Sequence, residues 1–241
     1  MGVSLRTGVY GPYYGNDYNS SNYLSQLQMQ INAIYIYKYL SAKGWTVNAI
    51  AGILGNMEHE SAINPGRWEG NSVGKGPGYG LTQWTPYTKY TEWCSSMGYS
   101  DPSEMDNNLS RIIWELNNNE QYYDTSGYPE SFSEFSKSTK SPYYLACAFA
   151  WNYERSAVVI WGANSKEEAN ILTEAQKEAN REALRQKRGN SATYWYQYLK
   201  GENPEIPDIP VIPDIPSGNT TFKRNKKFNF VLFNNRRRRI W

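Results

Sequence analysis

The chain has 241 residues, enough for one sizeable domain with appendages or for two small ones. Its mean hydropathy is low, −0.73, and no apolar run approaches the ~20 residues that a membrane-spanning helix needs. Net charge is +2, and one His with two Cys offers no zinc-spaced ligand cluster and no disulfide framework, so the sequence points to no metal and no cofactor.

In chain order, residues 1–22 are rich in Tyr, Gly and Asn without periodicity and read as an N-terminal arm, poorly ordered or draped on a partner. A first helix is expected over Leu24–Lys43, where Leu24, Leu27, Ile31, Ile34 and Leu40 form an apolar stripe, with Gly44 ending it. Thr46 then caps a second helix, in which Val47, Ile50, Ile53, Leu54 and Met57 recur at helical spacing until Asn64-Pro65-Gly66 closes the pattern. Glu58 and Glu60 fall in its last turn. There the negative end of the helix dipole opposes ionisation, which suits a general acid. The two lie on opposite flanks of the apolar face, so a helical wheel does not choose between them.

Gly70, Gly74, Gly76, Gly78 and Gly80 follow, without the Gly-Lys-Ser/Thr of a phosphate loop. A tight hairpin is expected here, with Gly80 letting backbone approach a ligand closely. Helices are predicted at Tyr87–Met97, Asp106–Tyr122, Glu130–Lys137 and Pro142–Glu154. The last is apolar nearly all round at Leu145, Ala146, Ala148, Phe149 and Ala150, as a buried central helix would be. Cys94 and Cys147 fall in separate helices and read as free, buried thiols. A charged, alanine-rich helix over Lys166–Arg188 and a shorter one over Ala192–Lys200 complete a mainly α domain of residues 23–200. Tyr194, Trp195, Tyr196 and Leu199 are expected to pack back on the first helix.

Beyond it, residues 201–221 form a linker in which Ile-Pro-Asp-Ile-Pro occurs twice, at 206–210 and 212–216. Such spacing of proline predicts a semi-rigid polyproline II spacer of roughly 40 Å. Residues 222–241 place Lys223, Arg224, Lys226, Lys227 and Arg236–Arg239 around the apolar run from Phe228 to Phe233. With eight cations in the tail, four carboxylates in the linker and +2 overall, residues 1–201 carry −2. The basicity is all in the tail, which reads as an anchor that docks on a larger assembly. A nucleic-acid partner is the weaker reading of the same cations.

Glu60-Ser61-Ala62-Ile63-Asn64-Pro65, followed by Gly80-Leu81-Thr82-Gln83, resembles the E-S-x-x-N-P … G-x-x-Q signature of goose-type lysozymes and lytic transglycosylases. Gly55-Asn56-Met57 and Gln83-Trp84-Thr85-Pro86 are more closely similar to the lysozyme domain of podovirus tail-knob lysins. The resemblance covers most of residues 23–200 and says least about Ala157–Arg188, a candidate insertion. It implies an α+β lysozyme-like fold, with a small β-sheet beside the catalytic helix at the Gly-rich stretch. It also implies that Glu60 is the catalytic acid, that Gln83 reaches the cleft, and that Tyr153-Glu154-Arg155 lines the opposite wall. For Glu154 and Arg155 a structural ion pair is an equal reading.

With 21 Tyr and 9 Trp, aromatic side chains are in surplus; most suit a core, but Tyr and Trp also stack on sugar rings. Tyr79, Gly80, Gln83, Trp84, Tyr153 and Glu154 are the expected substrate-binding set. The expected function is cleavage of the β-1,4 bond between N-acetylmuramic acid and N-acetylglucosamine in peptidoglycan, by hydrolysis or by a transglycosylase route. A second carboxylate is scarce, since Glu69 is the only one between Ser61 and Thr91. Met1 to Tyr23 shows no apolar region of a secretory signal, so carriage in a phage particle or release by lysis would bring the enzyme to the wall. The alternatives are a structural virion protein whose lysozyme fold serves assembly, and a release endolysin.

Overall fold

The stretch expected as an arm, poorly ordered or draped on a partner, folds into a hairpin in the computed structural model. Strand β1 (Val3–Gly8) pairs antiparallel with β2 (Gly11–Asn16), in register from Val3 opposite Asn16 to Gly8 opposite Gly11. The hairpin escapes an apolar period-2 reading because its buried positions are Tyr13, Gly15 and Asn16, none of them a large aliphatic residue. The structure describes residues 2–74 and 76–201. The expected linker from residue 202 onward and the anchor at 222–241 lie outside the described residues.

The hairpin leads into α1 (Gln26–Ser41), whose cap Ser25 and Gln28 bond reciprocally to each other's backbone N–H. The amide of Asn32 on α1 grips the backbone of Tyr14 at 2.7 Å and also donates to the carbonyl of Ile63 at 2.7 Å. One buried side chain thus ties β2, α1 and the turn after the next helix together. That helix, α2 (Val47–Ser61), starts at Thr46, whose hydroxyl accepts from the N–H of Ala49.

The remaining helices are α3 (Thr88–Ser96), α4 (Met105–Asn118), α5 (Phe132–Lys137), α6 (Pro142–Phe149), α7 (Ala157–Trp161), α8 (Lys166–Ala169) and α9 (Glu174–Lys200). The mainly helical class with a small antiparallel sheet is the expected one. The sheet itself is made by residues 3–16. Among its described residues the Gly-rich stretch contributes isolated bridges, Trp68–Tyr79 and Tyr79–Trp84, and a short 3-10 turn over Glu69–Asn71. Among the described residues no helix is long and apolar enough to cross a membrane.

Helices α2, α6 and α9 form the centre. Leu145 through Phe149 are all buried on α6, as their composition predicts, and Cys94 and Cys147 are free, buried thiols. The expected break between two C-terminal helices does not occur, because α9 runs through Gly189. A β-carbon at Gly189 would collide with the ring of Tyr143, so this glycine permits close packing and does not end the helix. The expected packing of Tyr194 on α1 is found: its hydroxyl accepts from Gln26 at 2.9 Å and from Gln30 at 2.8 Å.

Gly55 does for α2 what Gly189 does for α9. An added β-carbon there would lie 2.7 Å from the Ala192 nitrogen and 2.7 Å from the Arg188 oxygen, both backbone atoms that cannot turn aside. Gly55→Ala is therefore expected to force α2 and α9 apart and to cost about 1–3 kcal/mol, read as a lower midpoint in urea unfolding.

Candidate active site

The last turn of α2 is locked by short polar side chains. Ala62 and Ile63 both take positive φ, 53° and 52°, and the N–H of Ile63 returns to the carbonyl of Met57 at 3.2 Å. The hydroxyl of Ser61 donates to the carbonyl of Leu81 at 2.9 Å, and Asn64 Oδ1 accepts from the N–H groups of Asn16 and Gly66. The serine and asparagine of the Glu60-Ser61-x-x-Asn64-Pro65 motif thus fasten the helix end to the Leu81 loop and to β2. Glu60 stands on this fixed end.

Glu60 and Glu58 part company here. The carboxylate of Glu58 accepts from the indole N–H of Trp195 at 2.8 Å and turns toward α9. Glu60 lines a cleft of about 570 Å³, together with His59, Arg67, Glu69, Gln83 and Glu154 among others. The guanidinium of Arg188 on α9 bonds the Glu60 carboxylate directly and lies 3.5 Å from that of Glu154. A third contact, from Arg188 to the carbonyl of Asn56 at 3.1 Å, holds the cation in place.

Glu154 reaches this point through a change in helix geometry. The predicted single helix over residues 142–154 becomes a π-helical turn at Ala150–Glu154, closed by the N–H of Arg155 bonding the carbonyl of Ala150 at 2.9 Å. Tyr153 and Glu154 come round to the cleft as a result. The side chain of Glu154 is 6% exposed against 23% for Glu60. Burial, and then the Glu60 carboxylate, hold the Glu154 proton well above the ordinary carboxylate range, with Arg188 opposing them. The Glu154–Arg155 ion pair offered as an alternative is absent among the described residues, where the cation beside Glu154 is Arg188.

Of the expected substrate-binding set, Gln83, Trp84, Tyr153 and Glu154 line the cleft, and Tyr79 and Gly80 do not. Tyr79 is fully buried, packed between the rings of Trp68 at 4.5 Å and Tyr18 at 5.3 Å. Gly80, at φ 85°, turns inward against Asn108 and the Trp84 ring, so its close approach is to the core. Trp84 is stacked on Tyr90 at 4.5 Å and donates its indole N–H to Glu115 at 2.9 Å. Tyr153 stacks on Phe149 at 4.3 Å and donates its hydroxyl to Glu115 at 2.5 Å. Neither ring has an open face for a sugar. Gln83 donates its amide N–H to the carbonyls of Gly80 and Arg67, at 2.8 and 3.1 Å, which leaves its Oε1 without a partner beside the cleft.

The sequence did not single out Arg188, His59, Arg67 or Tyr23. Arg188 lies in the segment offered as an insertion, yet it is the cation that joins the two carboxyls. Nothing local marks it, because the contact spans 128 residues. Tyr23, 68% exposed, is the open aromatic ring of the cleft among many tyrosines that are closed.

A model of the family described as phage tail lysozyme matches residues 31–199 of the chain. The chain belongs to the phage tail lysozyme family. It is also 41% identical over 186 residues to Morphogenesis protein 1 of Bacillus phage B103, an alignment that covers 77% of the chain. The chain spans 44% of that relative's length. The family match runs through the residues that place Glu60, Glu154 and Arg188 around one cleft.

The site titrates in two directions. From about 4.5 upward, an unfolded Glu154 releases a proton that the folded chain retains, so this group lowers stability as pH rises toward its raised folded value. His59 is held at about 4 by burial and then by Arg188 and Lys187. An unfolded His59 therefore takes up a proton below 6.5 that the folded chain refuses, and stability falls as pH drops toward 4. Glu154→Gln is expected to be more stable than the wild type at neutral pH. The difference in unfolding free energy should grow from pH 4.5 upward, measured by urea unfolding along a pH series.

Proposed function

We propose that this chain is a peptidoglycan-degrading enzyme of the phage particle, cleaving the bond between N-acetylmuramic acid and N-acetylglucosamine with Glu60 as general acid. The observation that carries this reading is Glu60 on the cleft wall, with a second carboxyl and one guanidinium as its immediate neighbours. A glycosidic bond breaks when an acid protonates the bridging oxygen as oxocarbenium character develops. Burial and the neighbouring Glu60 carboxylate favour a proton on Glu154, with Arg188 opposing them. Glu60 is the more exposed carboxyl and the one that meets substrate. It receives this proton and passes it to the leaving oxygen. Water, or the muramic 6-hydroxyl in a transglycosylase route, then bonds to the anomeric carbon and returns its proton to the Glu60–Glu154 pair. Gln83 Oε1 accepts a hydrogen bond from the sugar, and the Tyr23 ring offers a stacking face.

Similarity to a protein named for morphogenesis supports a place in the phage particle, with other virion proteins as partners. In this reading the enzyme is carried to the wall and opens it locally. Dye-labelled purified peptidoglycan provides the test. The wild-type chain is expected to release soluble dye. A folded chain that releases none between pH 4 and 8 would leave assembly as its function.

A further inference from the structure

Arg67 is 3% exposed, and its Nη1 has no hydrogen-bond partner. Among the described residues no carboxylate lies within ion-pair distance of it. The guanidinium carbon sits 3.6 Å from the centre of the Tyr23 ring, which covers it from solvent while remaining exposed itself. A cation taken out of water costs several kcal/mol unless a counter-charge meets it. Other cations around the fold have theirs: Arg6 meets Asp17, Arg111 meets Glu115, and Arg188 meets Glu60. Arg67 instead lines the cleft, and its main-chain carbonyl holds the amide of Gln83. The cleft carries a second cation without a carboxylate partner among the described residues, Arg155, stacked over Tyr123 at 4.4 Å.

We propose that Arg67 is a binding residue for a carboxylate carried by the glycan strand, which enters the cleft beneath Tyr23 and supplies the missing counter-charge. A guanidinium presents paired N–H donors that match a carboxylate in two parallel hydrogen bonds. On a peptidoglycan strand such a group is either the lactyl carboxylate of a bare muramic acid or a carboxylate of the stem peptide. The proposal rests on the glycan-cleaving reading above and gives it a specificity: the enzyme distinguishes a wall strand from a neutral polymer of N-acetylglucosamine.

Titration calorimetry on the full chain, inactivated by Glu60→Gln, separates these. The ligands are a neutral N-acetylglucosamine hexamer, glycan strands stripped of peptide so that lactyl carboxylates are free, and strands with intact stem peptides. At least one anionic ligand is expected to bind tenfold or more tighter than the hexamer; which one does so identifies the carboxylate. Adding Arg67→Gln should weaken that ligand by about 10–100-fold and leave the hexamer unchanged, with Arg67→Lys recovering part of the loss. Equal weakening of all three ligands, or none, would mean that Arg67 only supports the fold, and the proposal falls while the glycan reading stands. Failure of every glycan to bind would overturn both.

Discussion

Glu60→Gln is expected to fold as the wild type does and to lose wall-degrading activity by a factor of roughly 10²–10⁴, the usual scale for removing a general acid. The amide oxygen of glutamine can still accept from Arg188, so the anchor between α2 and α9 survives and only the carboxyl that passes the proton to the leaving oxygen is lost. Glu58→Gln is the matched control. Its oxygen can still accept from Trp195, and it lies outside the cleft, so activity should stay within a few-fold of wild type. Dye release from purified peptidoglycan at equal concentrations of folded protein measures both. An inactive Glu58→Gln beside an active Glu60→Gln would exchange the two roles.

The second large effect is on stability. Glu115 is fully buried on α4 and accepts from Arg111 at 2.8 Å, from Trp84 at 2.9 Å and from Tyr153 at 2.5 Å. Burial pushes its carboxyl above the ordinary range, and the bonds from Tyr153 and Arg111 oppose that push. Arg111→Met keeps apolar bulk beside Trp93 and Trp114 but strands the charge. Leaving one partner of a buried pair costs about 3–5 kcal/mol, and urea unfolding at pH 7 should show a loss of that size. Without Arg111 the folded carboxyl holds its proton to higher pH than the unfolded one does. Stability of the variant should therefore recover as pH falls toward 4.5. Adding Glu115→Gln, which removes the stranded charge, should restore part of the loss at pH 7. Because Trp84 and Tyr153 border the cleft, this buried network also sets the cleft wall on the side of Glu154.

How much of this was legible in the sequence depends on the range of the interaction. The second helix could be read from Thr46 to Asn64-Pro65-Gly66 because caps and breakers act within a few residues, and α2 occupies Val47–Ser61. The choice of Glu60 over Glu58 rested on resemblance. Their separation in space comes from Trp195 and Arg188 on α9, far along the chain. Residue type alone does not tell a tyrosine or tryptophan that stacks on sugar from one that fills a core. Tyr79, Trp84 and Tyr153 proved to be packed rings, whereas Tyr23, at the edge of the expected arm, is open. The expected break after Arg188 does not occur, because Gly189 packs against Tyr143, which is remote in sequence. Glu154 was read at the cleft by resemblance. The π-helical turn that brings it there has no signal in apolar periodicity.

Mass analysis of the glycan ends released from purified peptidoglycan tests Glu60-dependent cleavage most directly. The wild-type chain should generate new N-acetylmuramic acid ends, reducing if water completes the reaction and anhydro if the 6-hydroxyl does, and Glu60→Gln should generate neither. New reducing N-acetylglucosamine ends, free peptides without new glycan ends, or the same muramic ends from Glu60→Gln would contradict it.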